Sequence, residues 1–600
     1  MDIKKYDSRD QIPVEHTWAV EDLYPTAEDW SREMDSLVED TRVLAAFQDT
    51  LGRDAETLLA YLTAMEQVDC KVDKLGQYCN RVADQDTRDS VGRSMVGRFR
   101  NIQTALGAAV SFETPEIMAI SEETLAAFYA DCPGLERYRR YLTDLRRMKA
   151  HSLSPVEERL LAAAGEMAAS PQSVFSAFSN ADLTFPDAVD SQGNAHGLTK
   201  GSFVNLQKSP DRELRRDSYE KLYTTVGSFR NTAAAMLNAQ GKQLKFFADA
   251  RKYPSALDAA LDRTNVPTSV YHNLIDTVHE NLPTLHRYMA LRKKLMGLEE
   301  LHFYDVYTPI LASLDLKIPF EQAKQTVHDA LHPLGEGYQA ILREGFANRW
   351  IDVYETPGKR GGAYSAGARV HPYVLLNYNH GLTGQFTLAH EMGHAVHSYL
   401  SNRSQNPVDA HYRIFVAEVA STCNEALMMR YLLGKTKDKK ERAYLINHFL
   451  EKFRTTLCRQ TMFAEFERFM GDTVNAGGTL TADLLCAEYK RLNALYYGPD
   501  MVMDDCIAME WARIPHMYYN YYVFQYATGF SAAVALSTRI LEEGAPAVER
   551  YLNFLRSGCT KSPIELLKDA GVDMATPAPI QDALTLFAKL LDEMEELMEE

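Results

Sequence analysis

Three residues able to act together on one substrate lie within five positions of each other, in Phe386-Thr-Leu-Ala-His390-Glu391-Met-Gly-His394. His390 and His394 are four apart, so a helix would set both imidazoles on one face, one turn from each other. Two ring nitrogens so arranged can reach a single metal ion at ~2.0–2.1 Å. Glu391 is one position on, rotated ~100° about the helix axis. It reaches a water beside the ion more easily than the ion itself. Two imidazoles holding a Lewis acid, with a carboxylate as general base, is the chemistry of metal-assisted amide hydrolysis. Two structural histidines would give the same spacing. The context favours the metal, because the motif lies on an amphipathic helix directly after a β-type segment and a turn, Asn379 to Gly384.

A hydrolytic centre of this kind takes a third protein ligand and keeps one position open. His397 is near, at i+7 from His390, but seven residues of unbroken helix rise ~10.5 Å, too far for one ion to span. The sequence also does not continue as His-x-x-Gly-x-x-His, since position 397 is His and position 400 is Leu. His397 is therefore expected to support the site or pack beside it. Glu418 is the better candidate, in Phe415-Val-Ala-Glu418-Val-Ala-Ser-Thr-Cys-Asn-Glu425-Ala-Leu. The preceding loop is long enough to turn the chain back. Glu425, at i+7 from Glu418, shares its face. Two carboxylates on an apolar helix are costly unless paired or bound to a cation. Glu418 reads as the third ligand and Glu425 as the group that fixes an imidazole tautomer; a salt bridge to Arg or Lys is the alternative for either.

These words, together with Pro515-His516-Met-Tyr-Tyr-Asn-Tyr-Tyr-Val-Phe-Gln-Tyr526-Ala-Thr-Gly529, resemble the oligoendopeptidase F branch of the thimet-oligopeptidase family of zinc peptidases. His16-Thr-Trp-Ala-Val-Glu-Asp-Leu-Tyr24, Gly358-Lys-Arg-Gly-Gly362 and Asn377-Tyr-Asn379 resemble it too, so the likeness spans almost the whole chain. The resemblance implies one Zn2+ per chain and, independently of the spacing argument, Glu418 as third ligand. It also implies a mostly α fold, a large helical clam-like body with a deep internal channel.

Amide hydrolysis needs donors aimed at the developing oxyanion. Phenols and an imidazole can supply them, and Tyr518, Tyr519, Tyr521, Tyr522 and Tyr526 crowd one segment after His516. By resemblance, His516, Tyr522 and Tyr526 fall where family members hold such donors and substrate contacts. His516 and Tyr522 are assigned to the oxyanion, Tyr519 and Tyr526 to the substrate. The thimet-like branch has a further tyrosine where this chain has Gly529, so one donor role is not carried over. Core packing is the alternative for each ring. The segment Arg369 to Asn379 reads either as an ordinary structural strand or as an edge strand that takes a peptide backbone, with Asn377 and Tyr378 against the substrate.

The elements that must hold these groups are mostly helical. Trp30, Met34, Leu37 and Leu44 fall on one helical face, and Thr26 with Asp29 resembles a capping box. Helical segments continue to about residue 180, punctuated by Pro133-Gly134, Ser152 to Pro155 and Ser170-Pro171. Leu183 to Thr199 reads as a small hairpin. A second β patch covers Trp350 to Tyr354 and Arg369 to Tyr378, beside the His-Glu-x-x-His helix. The glycine-rich loop between its strands lacks the Gly-x-x-x-x-Gly-Lys-Ser/Thr spacing of a phosphate cradle. A boundary near residue 200 would divide the chain into an N-terminal helical domain, 1–200, and a catalytic domain, 201–600.

Composition narrows the partners. Against 82 Asp+Glu there are 64 Lys+Arg, a formal charge of −18, which argues against nucleic acid. The eight cysteines contain no Cys-x-x-Cys pair, as suits a reducing compartment. The N-terminal residues lack the apolar core of a signal peptide, and no run approaches a membrane span. The expectation is a cytoplasmic zinc endopeptidase acting on short peptides, with no nucleic-acid or membrane partner. The alternatives are a zinc carboxypeptidase, which would need a cationic anchor such as Arg513 or Arg360, and a peptide-binding scaffold with a structural metal.

Overall fold

The computed structural model describes residues 6–311 and 316–599. Among the described residues the chain is mostly α-helical, with two small sheets. It divides into two compact units, each assembled from three stretches of chain. The first comprises Met1–Ser152, Asp315–Tyr431 and Leu536–Val572; the second comprises Leu153–Leu314, Leu432–Ala535 and Asp573–Glu600. Residue 200 falls within the first stretch of the second unit. The expected division is made along the chain, whereas compactness follows contacts between distant stretches.

In the first unit, helices Ala27–Ala45, Ala55–Gln85 and Ser90–Ala109 pack together. Their starts follow from short polar side chains that take the free N–H groups of the first turn. Thr26 accepts from the Asp29 N–H at 3.1 Å and Asp54 from the Thr57 N–H at 2.7 Å. Trp30, Met34, Leu37 and Leu44 are all buried, as the periodicity predicts. The Trp30 indole also donates to the Leu75 carbonyl at 3.0 Å.

The same apolar core takes in Ala368, Tyr373 and Leu375, which join it to a three-stranded sheet. Strand Tyr373–Leu375 is central. It runs parallel to Ile351–Asp352 and antiparallel to Tyr364–Ala366. The outer strand Tyr364–Ala366 has no counterpart in the sequence reading. The edge-strand alternative for Arg369 to Asn379 does not hold, because both sides of Tyr373–Leu375 are already paired.

The glycine-rich loop is an internal fastening. The left-handed Gly358 (φ 87°) offers its carbonyl to the Thr87 N–H at 2.7 Å. The Lys359 side chain is fully buried, 2.7 Å from Asp352 Oδ1, and donates to the Tyr354 and Leu376 carbonyls at 2.7 and 2.6 Å. Arg9 also pairs with Asp352. A lysine so occupied is not offered to a phosphate.

The second unit contains the expected hairpin, shortened to Ala188–Val189 and Ala195–His196. Asp190 closes its turn by accepting from the Asn194 N–H at 2.8 Å. Helices Thr268–Leu295, Arg459–Asn475, Ala482–Tyr497 and Ala578–Glu599 form much of the remainder. Buried cations there are paired, as burial demands. Arg454 lies 2.6 Å and Arg292 3.2 Å from Glu451.

Candidate metal centre

Helix Leu382–Ser404 begins after Gly381 and carries His390, Glu391 and His394. Helix Ile414–Lys435 carries Glu418 and Glu425. Both sets belong to the first unit. The helices can approach closely because position 393 is glycine: a Cβ there would lie 2.5 Å from Ser421 Cα and 2.8 Å from the Ala420 carbonyl oxygen. Asn424, fully buried, fixes the pair. Its amide donates to the Ala389 carbonyl at 3.0 Å and its oxygen accepts from the Tyr338 hydroxyl at 2.9 Å. The outer strand leads into a second close approach, where a Cβ on Gly367 would lie 2.5 Å from Ser398 Oγ.

This packing brings His390, His394 and Glu418 together, with one donor atom from each lying within 4.8 Å of the others. Glu418 Oε2 is 3.2 Å from His390 Nε2 and 3.5 Å from His394 Nε2. Ligands of a tetrahedral ion with ~2.0–2.1 Å bonds stand roughly 3.3 Å apart, so the donor set fits a small divalent cation without rearrangement. Among the described residues it is the one group of three or more His, Cys, Asp or Glu side chains that meets this test. The opposite ring nitrogen of His390, Nδ1, lies 3.2 Å from Glu425 Oε1. That contact leaves Nε2 free to face Glu418.

The electrostatics agree with the geometry. Burial lowers the His390 pKa, but hydrogen bonds to Glu418 and Glu425 outweigh it and bring it up to about 10. Burial raises that of Glu418, and the two imidazoles more than reverse it, holding the carboxylate well below its usual range. The cluster attracts protons, and a divalent cation would satisfy the same carboxylates. Glu391 is 6% exposed, and its Oε2 is buried with no hydrogen-bond partner among the described residues. Burial raises its pKa, against the pull of His390 and His394, as suits a proton acceptor working near neutrality.

Comparison with known proteins gives the family. A family model described as Peptidase family M3 matches residues 205–586, and one described as Oligopeptidase F matches residues 116–185. The chain is 44% identical to oligopeptidase PepF of Bacillus subtilis over 98% of its length and 88% of that protein. The chain belongs to peptidase family M3. Among solved structures, the M3 chain resembles a putative peptidase from Chlamydophila abortus (TM-score 0.93, 36% identity, 99% of this chain and 100% of that one). It also resembles oligoendopeptidase-F from Enterococcus faecium (TM-score 0.75, 38% identity, 95% and 99%). M3 proteins are metallopeptidases, and the triad is where this M3 chain can hold its metal.

The remaining site candidates separate. His397 is 1% exposed and lies flat on Tyr412, with ring centroids 3.8 Å apart. Burial depresses its pKa to about 3, so the ring is neutral. Asn377 and Tyr378 are engaged internally. The Asn377 amide donates to the Arg360 and Gly362 carbonyls at 3.0 and 2.8 Å, and the Tyr378 hydroxyl to the Ile318 carbonyl at 2.9 Å. His516, Tyr519, Tyr522 and Tyr526 belong to the second unit. There their rings form a circuit: centroids are 5.2 Å apart for His516–Tyr519, 6.5 Å for Tyr519–Tyr522, 5.3 Å for Tyr522–Tyr526 and 6.1 Å for His516–Tyr526. None of the four is buried. Gly393 and Asn424 are absent from the sequence reading. Gly393 lies inside the motif, but the helix it must admit begins 21 residues later.

Proposed function

We propose that this M3 peptidase is a cytoplasmic zinc endopeptidase that hydrolyses short peptides. The observation that carries the reading is the His390–His394–Glu418 triad with the unpartnered Glu391 oxygen beside it. When bound, zinc supplies Lewis acidity to a water and to the scissile carbonyl. His390 and His394 act as neutral imidazoles through Nε2, and Glu425 holds the His390 proton on Nδ1. Glu391 takes the proton of the attacking water and returns it to the leaving amine. His516 and Tyr522 donate to the oxyanion, with Tyr519 and Tyr526 against the substrate. Resemblance supports that assignment, as do the exposure of Tyr519 and the half-buried positions of His516, Tyr522 and Tyr526.

A carboxypeptidase would need a free cation for the substrate carboxylate. Arg513 is paired with Glu510 at 2.7 Å and donates to the Tyr223 hydroxyl at 3.0 Å, and Arg360 lies 3.2 Å from Asp84. The deciding substrate is an internally quenched peptide blocked at both ends. Zinc-dependent cleavage within it is expected, and hydrolysis confined to peptides with a free C-terminus would refute the endopeptidase reading. Glu391→Gln should lower turnover by ~10²–10⁴ while metal content is retained.

A further inference from the structure

Helix Arg459–Asn475 of the second unit carries a carboxyl that none of the steps above uses. Glu467 is 5% exposed. Its Oε1 accepts the backbone N–H of Tyr521 at 3.1 Å, and its Oε2 is buried with no hydrogen-bond partner among the described residues. Burial raises its pKa to about 8, so the neutral acid is the form that sits there at pH 7. One helical turn on, at i+4, is Gly471. A Cβ there would lie 1.9 Å from the Tyr521 hydroxyl. Glu467 and Gly471 therefore meet opposite ends of one residue: the carboxyl takes its backbone and the glycine admits its phenol.

The residue held in this way has an uncommon backbone. Asn520 and Tyr521 are both left-handed, with φ of 57° and 56°. Asparagine tolerates that conformation, but a tyrosine seldom adopts it, because its Cβ crowds the following carbonyl. Such residues persist only where their surroundings over-determine them, and they gather at functional segments. This turn separates Tyr519 from Tyr522. It thereby sets how the circuit of His516, Tyr519, Tyr522 and Tyr526 closes.

We propose that Glu467 is a positioning residue: with Gly471 it locks the left-handed Asn520–Tyr521 turn and so aims Tyr519 and Tyr522. The inference rests on the reading of Tyr522 as an oxyanion donor. Glu467→Gln keeps the acceptor of the neutral acid and should behave as the parent. Glu467→Ala removes it. A donor displaced by about an ångström should lower kcat by ~10–10²-fold, with KM little changed. Hydrogen–deuterium exchange across residues 516–522 should rise. Adding Asn520→Gly, which makes φ > 0 cheap, should restore part of kcat. Gly471→Ala presses on Tyr521 from the other side and should give the same kcat-selective loss; it stands in if Glu467→Ala does not fold.

The zinc-loaded full-length variants are assayed on the quenched peptide beside Tyr522→Phe. Parental kcat in Glu467→Ala, with kcat reduced in Tyr522→Phe, overturns the lock and leaves the donor reading intact. If Tyr522→Phe itself keeps parental kcat, the donor reading fails and exchange decides alone. Raised exchange in Glu467→Ala then sustains the lock, and unchanged exchange overturns it.

Discussion

Glu418 and His397 separate the two ways a polar side chain can sit near the motif. Glu418 reaches the imidazoles from another helix, whereas His397 shares their helix but lies against Tyr412. After dialysis, Glu418→Ala should lose its metal and His397→Ala should keep it; metal analysis of both decides. Tyr522→Phe deletes one hydroxyl and keeps the ring. As an oxyanion donor it should cost ~10²–10³ in kcat, with KM and metal content little altered. The i, i+4 spacing of His390 and His394 made this much legible, since a helix converts it into a shared face. The bonds that Asn377 and Tyr378 make were not legible at the same scale. The Asn377 amide N–H groups and the Tyr378 hydroxyl bond to backbone carbonyls, and partners so distant leave no local pattern.

At the scale of elements, the centre depends on how near helix Ile414–Lys435 can come to helix Leu382–Ser404. Gly393→Ala forces them apart at Ser421. Overpacking of this kind typically costs ~1–3 kcal/mol. The variant should melt at a lower temperature and bind zinc more weakly, because Glu418 moves with its helix; calorimetry with and without zinc separates the two effects. Helices with capped starts and apolar stripes were readable from sequence, and Ala27–Ala45 lies where Thr26 and Trp30 put it. The sheet was only half readable. A three-residue strand such as Tyr364–Ala366 is too short for alternation to register, and its existence depends on pairing with Tyr373–Leu375. That pairing also removes the free edge that one of the two readings of Arg369 to Asn379 required.

The whole chain is least legible, because its two units interleave and sequence patterns report only neighbours. The first unit joins stretches that are hundreds of residues apart. Its last stretch includes helix Ala545–Arg556, which packs on the histidine helix. Phe554 lies 5.5 Å from the His397 ring, and the Arg556 carbonyl accepts from the Gln405 amide at 2.8 Å. A chain ending at residue 535 lacks that support and should fail to retain zinc, a result readable by metal analysis of the purified fragment. The interleaving also orders events during synthesis. Both histidines and Glu418 leave the ribosome well before Leu536–Val572, the stretch that completes their unit. At ~5–20 residues per second, the gap from residue 431 to 536 lasts roughly 5–20 s. During that time the two helices of the triad exist without the helix that backs them. On the proposed reading the triad lacks its backing throughout this interval, and hydrolysis would begin only after Leu536–Val572 has joined the first unit.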